Sequence, residues 1–235
     1  HPTLLTKLHL GSFTSACGTL IFRGGALGAD YYGNAFICEP AQNLVQRRIL
    51  SPAGGSFDAR VARDGKEFLA TPDTWSRIVY ADFGPDGALY LTDFYRKTLD
   101  HPRYLPEGIR DTADFVSGND QGRIYRVAPA RKSRRTAWKK HSLSGLSVKR
   151  LVRALDTAEG WRRETARRLL LEGADDDAVA PLRRVVAKGK TEAGSVAALW
   201  LLENFGKLED GTLTSALNDK RPRVRETAVR LIEPR

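Results

Sequence analysis

Gly84-Pro85-Asp86-Gly87-Ala88-Leu89-Tyr90-Leu91-Thr92-Asp93 decides the fold of the first half of this chain. Pro85 presets φ for a tight turn and Gly87 supplies a conformation that needs no Cβ, so the first four residues close a hairpin. The stretch predicts one strand over 77–81 and a second over 88–92, ending at Asp93. Gly122-Arg123-Ile124-Tyr125-Arg126-Val127 supplies a third strand with the same alternation. Between them Phe94 to Gln121 forms an insertion of roughly 28 residues, and a loop that long in a compact domain is functional or disordered.

Upstream, Gly18 to Phe22, Ala35 to Cys38, Asn43 to Leu50 and Phe57 to Ala62 read as four more short strands. Gly24-Gly25, Gly33-Asn34, Gly54-Gly55 and Asp64-Gly65 punctuate them. Four strands at this spacing fit an antiparallel propeller blade or a sandwich sheet.

Beyond Val127 the periodicity changes. Val148–Leu155, Trp161–Leu171, Ala178–Ala187, Glu192–Phe205, Leu213–Leu217 and Val224–Ile232 place apolar residues at helical spacing, with Gly173, Gly189 and Gly206 as stops. Ala166, Ala197 and Ala228 recur every 31 residues, and Leu170, Leu201 and Ile232 keep a constant offset from them. A repeat of about 30 residues holding two antiparallel helices is a HEAT-type unit, in which no repeat buries its apolar stripe alone. Trp161 and Trp200 lie on helix faces and read as core.

The formal net charge of +10 is unevenly placed. Up to Val127 there are 14 basic and 14 acidic residues, and from Ala128 onward 24 basic and 14 acidic. The whole excess belongs to the helical half, which either faces something anionic or presents a solvated basic face. Arg131, Lys132, Arg134, Arg135, Lys139 and Lys140 make residues 128–145 a basic linker or arm. No run of 18 apolar residues exists, so no segment reads as a membrane span. The chain begins at His1, lacks Met and ends at Arg235 within a helical repeat. It therefore reads as a piece of a longer protein.

The strand half resembles the last blades of the propellers of glucose/sorbosone dehydrogenases dependent on pyrroloquinoline quinone (PQQ). The resemblance is carried by the Gly84–Asp93 string, Gly122–Val127, Ser15-Ala16-Cys17-Gly18, Ile21-Phe22-Arg23-Gly24, Tyr32-Gly33-Asn34-Ala35-Phe36 and Asn43-Leu44-Val45-Gln46-Arg47. Cys38-Glu39-Pro40, Asp93-Phe94-Tyr95-Arg96 and Leu99-Asp100-His101-Pro102 look most like the membrane-bound dehydrogenase-like proteins of planctomycetes and verrucomicrobia. In those large proteins a propeller precedes HEAT repeats and usually a cytochrome c domain. The resemblance covers Leu8 to Val127 and implies the C-terminal blades of a β-propeller over 1–127, a basic linker over 128–145 and HEAT-like repeats over 146–235. At 40–45 residues per blade, 127 residues make at most about three blades, too few to close a ring. Upstream blades or another chain would have to complete it, because open sheet edges invite pairing.

Glu39, Asn43, Arg47, Asp93, Tyr95, Arg96 and His101 combine carboxylate, amide, cation, phenol and imidazole near strand ends, where propeller sites form. Oxidation of a sugar by PQQ needs a base and cations that stabilise the quinone's charge. The resemblance puts the catalytic His in an earlier blade, so His101 at best lines the channel, while Arg47 and Arg96 are candidates to face the cofactor carboxylates. Trp75 with Arg77, at the start of the last blade, is a candidate to stack on or gate a ligand; the plainer reading has Asp93 and Arg96 pairing to order their loop and Trp75 packing between blades. Cys17 and Cys38 stand one hairpin apart, open to a disulfide in an oxidising compartment or to two buried thiols. No Cys-x-x-Cys-His haem motif, zinc spacing or nucleotide loop is present.

The resemblance implies a periplasmic or membrane-associated dehydrogenase-like protein of the bacterial envelope, oxidising a sugar or alcohol with PQQ and calcium held mostly outside this chain and passing electrons to a haem domain. The alternatives are a non-enzymatic scaffold binding an acidic protein or polysaccharide, and, least favoured, nucleic-acid binding by the basic helices. The last requires Arg162, Arg163, Arg167, Arg168, Arg183 and Arg184 to line one concave surface.

Overall fold

The computed structural model describes residues 13–129, 142–173 and 176–233, which fall into two compact units, one of strands and one of helices. The linker cations Arg131, Lys132, Arg134, Arg135, Lys139 and Lys140 lie outside the described residues, as do the chain termini.

In the strand unit, β1 (Cys17–Ile21), β2 (Ala35–Glu39), β3 (Leu44–Ala53) and β4 (Ser56–Val61) form an antiparallel sheet in sequence order. The long β3 pairs with β2 along one edge and serves two neighbours along the other. Arg48 to Ala53 pair with β4, while Leu44 and Val45 also pair with the two-residue β5 (Leu69–Ala70), which is too short to leave a periodic signal. The second sheet is β6 (Ile78–Phe83), β7 (Leu89–Asp93) and β8 (Arg123–Val127), again antiparallel and in order. Its first hairpin closes as the sequence predicts: Gly84 N–H donates to the Ala88 carbonyl (3.0 Å), and Gly87 takes φ 73°. The insertion after β7 holds a 3-10 turn at Pro102–Tyr104 and the one-turn α1 (Glu107–Arg110).

The two sheets share one apolar core, with β1 and β2 packed on β6. Phe22, Phe36, Phe83 and Phe68 meet edge-to-face at centroid distances of 4.8–6.1 Å beside buried Cys38, Val45, Ile78, Leu89 and Leu91. Gly18 makes the close approach of β1 to β6 possible. Its φ is 54°, and a Cβ there would stand 2.5 Å from the Val79 carbonyl oxygen and 2.7 Å from Tyr80 Cα. At the margins, every residue of β4 is exposed, and on β8 Ile124 is 72% exposed.

The helical unit contains α2 (Val148–Leu155), α3 (Gly160–Gly173), α4 (Val179–Lys188), α5 (Glu192–Asn204), α6 (Asp210–Leu217) and α7 (Pro222–Ile232). Consecutive helices pack as the pairs α2/α3, α4/α5 and α6/α7. Across pairs, α2, α4 and α6 contact in one row and α3, α5 and α7 in another. Each apolar stripe is thus covered by its neighbour's, giving a continuous core around Leu155, Leu170, Leu182, Leu199, Leu202 and Ala228.

The 31-residue spacing needs a correction of one residue. Ala166 and Ala228 are fully buried, but in α5 it is Ala198 that is fully buried, with Ala197 half-buried, and in α7 Leu231 enters the core while Ile232 is 39% exposed. Trp161 and Trp200 are also only half-buried, not core. Polar bonds join successive pairs. Asp156 after α2 accepts from the backbone N–H of Lys190 and Thr191 (2.8 and 2.9 Å) at the start of α5, and Glu192 accepts from Arg223 N–H (2.7 Å) at the start of α7.

Candidate functional site

The seven site candidates of the sequence divide into four groups, of which Glu39, at the end of β2 beside Ser15, is one by itself. Asn43, Asp93, Tyr95 and Arg96 gather where the β2–β3 turn meets the entry to β6 and the end of β7. Arg47 stands with the loop after β1, and His101 with the insertion.

Asp93 is almost fully buried, and its carboxylate is engaged on both oxygens. Oδ1 accepts from the backbone N–H of Arg77 (2.7 Å) and Tyr95 (3.0 Å), and Oδ2 from the Ser76 hydroxyl (2.9 Å). The expected Asp93–Arg96 pair is not made. Arg96 Nη1 instead donates to the carbonyls of Tyr95 (2.8 Å) and Gly118 (2.7 Å), and its guanidinium lies over the Phe94 ring. Each still orders the loop, one through N–H donors and the other through carbonyl acceptors, because a buried backbone must satisfy both.

Asn43, fully buried with φ 58°, donates its side-chain amide to the Ser76 carbonyl, so the β2–β3 turn of one sheet is tied through Ser76 to Asp93 of the other. Arg77, a residue not among the seven, completes this junction. It is 2% exposed and donates to the carbonyls of Pro40 (3.3 Å) and Lys97 (2.9 Å). Its Nε has no partner among the described residues, and burial lowers its pKa against the pull of Asp100, Asp93 and Asp73. Sequence offered only its position beside Trp75 as a signal. Trp75 itself meets the Tyr95 ring at 6.1 Å.

Glu39 is fully buried, and both of its oxygens accept from Ser15 N–H (3.2 and 3.1 Å). Burial raises its pKa, and the backbone donors of Ser15, Ala41 and Thr14 oppose that rise. Arg47 donates to Asn34 Oδ1 (2.7 Å) and the Asp30 carbonyl (2.5 Å), with its guanidinium 3.8 Å from the Tyr31 ring centroid. His101 is exposed, and its Nδ1 caps the 3-10 turn by accepting from Arg103 N–H (3.1 Å). Cys17 and Cys38 are direct cross-strand partners, and both are free thiols in this structure.

A site for PQQ and calcium needs free cations for the quinone's carboxylates and several oxygen ligands for the metal. Arg47 and Arg96 are held by carbonyl or amide oxygens and aromatic rings, and no group of three His, Cys, Asp or Glu able to hold a metal exists among the described residues. The candidate residues therefore do not fit that cofactor.

The six arginines required for one nucleic-acid surface also separate. Arg163 and Arg167 border a groove on the α3/α5/α7 row, whereas Arg183 and Arg184 border a hollow beside α4. Arg168 is paired with Glu172 (2.8 Å) and Arg183 with Glu209 (2.5 Å).

Two antiparallel sheets joined by a buried polar junction, followed by paired helices, define a two-part β-then-α protein. Residues 3–131 match the family described as Domain of unknown function (DUF7133), and the chain belongs to that family. No curated protein and no solved structure matches the chain.

Proposed function

We propose that this chain is the framework and partner-binding portion of a propeller-and-HEAT protein, with blades in its strand unit, HEAT-type repeats in its helical unit and the chemistry of any dehydrogenase located outside it. The observation that carries this reading is the state of Asp93. Its carboxylate is almost fully buried and both oxygens serve groups of the chain itself, two backbone N–H groups and a hydroxyl, so no face of it is open to a substrate. The same holds for the cations, since Arg47, Arg77 and Arg96 all serve carbonyl or amide oxygens of the chain itself. Titrating the purified chain with PQQ and calcium, followed by quinone absorbance and calorimetry, is expected to give no saturable binding. Stoichiometric binding abolished by Arg47→Ala or Arg96→Ala would refute the reading.

A second reading, PQQ-linked oxidation of a sugar or alcohol by the whole protein with transfer to a cytochrome c domain, is favoured by the open margins. Exposed β4 and exposed Ile124 on β8 suit neighbouring blades, which would carry the catalytic His. Dye reduction by the full-length protein with PQQ, calcium and a panel of sugars tests it, and absence of both reduction and cofactor binding removes it. A periplasmic or membrane-associated location belongs to this reading. No helix among the described residues is long and apolar enough to cross a membrane.

A further inference from the structure

We infer that the groove along α3, α5 and α7 is a docking site for an acidic peptide segment in which carboxylates alternate with apolar side chains. This deepens the partner-binding half of the reading above and rests on it. The groove has a volume of about 720 Å3, within the range of sites that hold a ligand of a few residues. Its floor is apolar, made of Ala193, Val196, Ala197 and half-buried Trp200 of α5. Arg167 of α3 stands on one side and Arg223 and Arg230 of α7 on the other.

The charges show what the groove lacks. Arg167 is exposed and has no ion-pair or hydrogen-bond partner among the described residues. Arg223 and Arg230 both bond Glu226, at 2.6 and 2.7 Å, and Arg230 makes only that ion pair among the described residues, so its fork of five N–H donors is incompletely matched. Arg163 is committed to the Thr157 and Ala158 carbonyls, and Glu192 to Arg223 N–H. The lining therefore has a net positive charge, in which carboxylates of a partner can make bidentate contacts. An apolar side chain placed between two such carboxylates covers Trp200 and Val196. A nucleic acid suits the groove less well, because it carries a phosphate at every step and would bring some of them against Glu192 and Glu226.

The test uses the whole chain and a fluorescent hexapeptide of alternating glutamate and leucine, read by anisotropy at low salt. The comparators are the glutamate–serine hexapeptide and a short oligothymidylate. The glutamate–leucine peptide is expected to bind, the serine peptide at least about fivefold more weakly, and Arg167→Glu to weaken binding about tenfold. Arg184→Glu, the same charge reversal on α4 outside the groove, is expected to change it by less than about twofold. Trp200→Ala, checked for helicity by circular dichroism, is expected to remove the preference for leucine over serine. If that variant unfolds, the two arginine variants decide. No binding of the hexapeptide, equal losses from the two reversals, or tighter competing binding of oligothymidylate would overturn the site. Equal losses would leave the framework reading standing, since a diffuse basic surface would still bind a partner.

Discussion

Cys38 lies fully buried on β2 opposite Cys17 of β1, and burial, with Cys17 beside it, pushes its thiol pKa up to about 12. Burial, then the Glu39 charge, raises that of Cys17 as well. The thiolate is the nucleophile, so iodoacetamide at about pH 8 should leave Cys38 unmodified in the native chain and label both cysteines in urea. Mass spectrometry of the peptides checks this, and rapid native labelling of Cys38 would contradict its placement. Asp219 shows the opposite behaviour. Its side chain accepts from Arg221 Nε (2.8 Å) and Nη2 (2.6 Å), which brings its pKa down to about 2. A carboxylate with a lowered native pKa contributes stability above its unfolded value of roughly 3.9 and loses that contribution as pH falls through the native one. Helix content of the wild-type chain should therefore become less resistant to urea between about pH 4 and pH 2, and Asp219→Asn should flatten that part of the profile.

At the scale of elements, Gly18 is the position with least tolerance. A side chain there would need φ 54° and would press on Val79 and Tyr80 of β6, so Gly18→Ala should cost at least about 2 kcal/mol in urea unfolding, through the sheet contact and the strained φ together. A neutral result would show that β1 and β6 do not approach as described. The strands were legible because alternation and turn residues are local: all seven strands read from the sequence exist, with ends shifted by one to three residues. β5 escaped because two residues carry no period. In the helical unit the apolar repeat located α2 to α7, but not which alanine is buried, since a one-residue turn of α5 about its axis exchanges Ala197 for Ala198 without changing the pattern.

Across the molecule, the candidate site was legible as a set of polar residues at strand ends and illegible as a mechanism. Asp93, Asn43 and Ser76 meet across two sheets, and nothing in their spacing says that backbone N–H groups and a hydroxyl rather than a substrate will claim the Asp93 oxygens. Arg77 was noted only as a neighbour of Trp75, because a cation flanked by a strand gives no sign that it will be buried. Trp200 was assigned to the core for the converse reason: a large apolar residue at helical spacing looks interior until the neighbouring helices leave its face open as a groove floor. The polar junction thus ties the two sheets of the strand unit to each other, and partner recognition by the helices is the proposal that follows from that division. Urea unfolding of Asp93→Ala, followed by tryptophan fluorescence, examines that division most directly. The orphaned Arg77 and Tyr95 N–H groups and the Ser76 hydroxyl should together lower stability by roughly 3 kcal/mol, whereas a variant as stable as the parent chain would mean that Asp93 is not needed to hold the sheets and is free for another role.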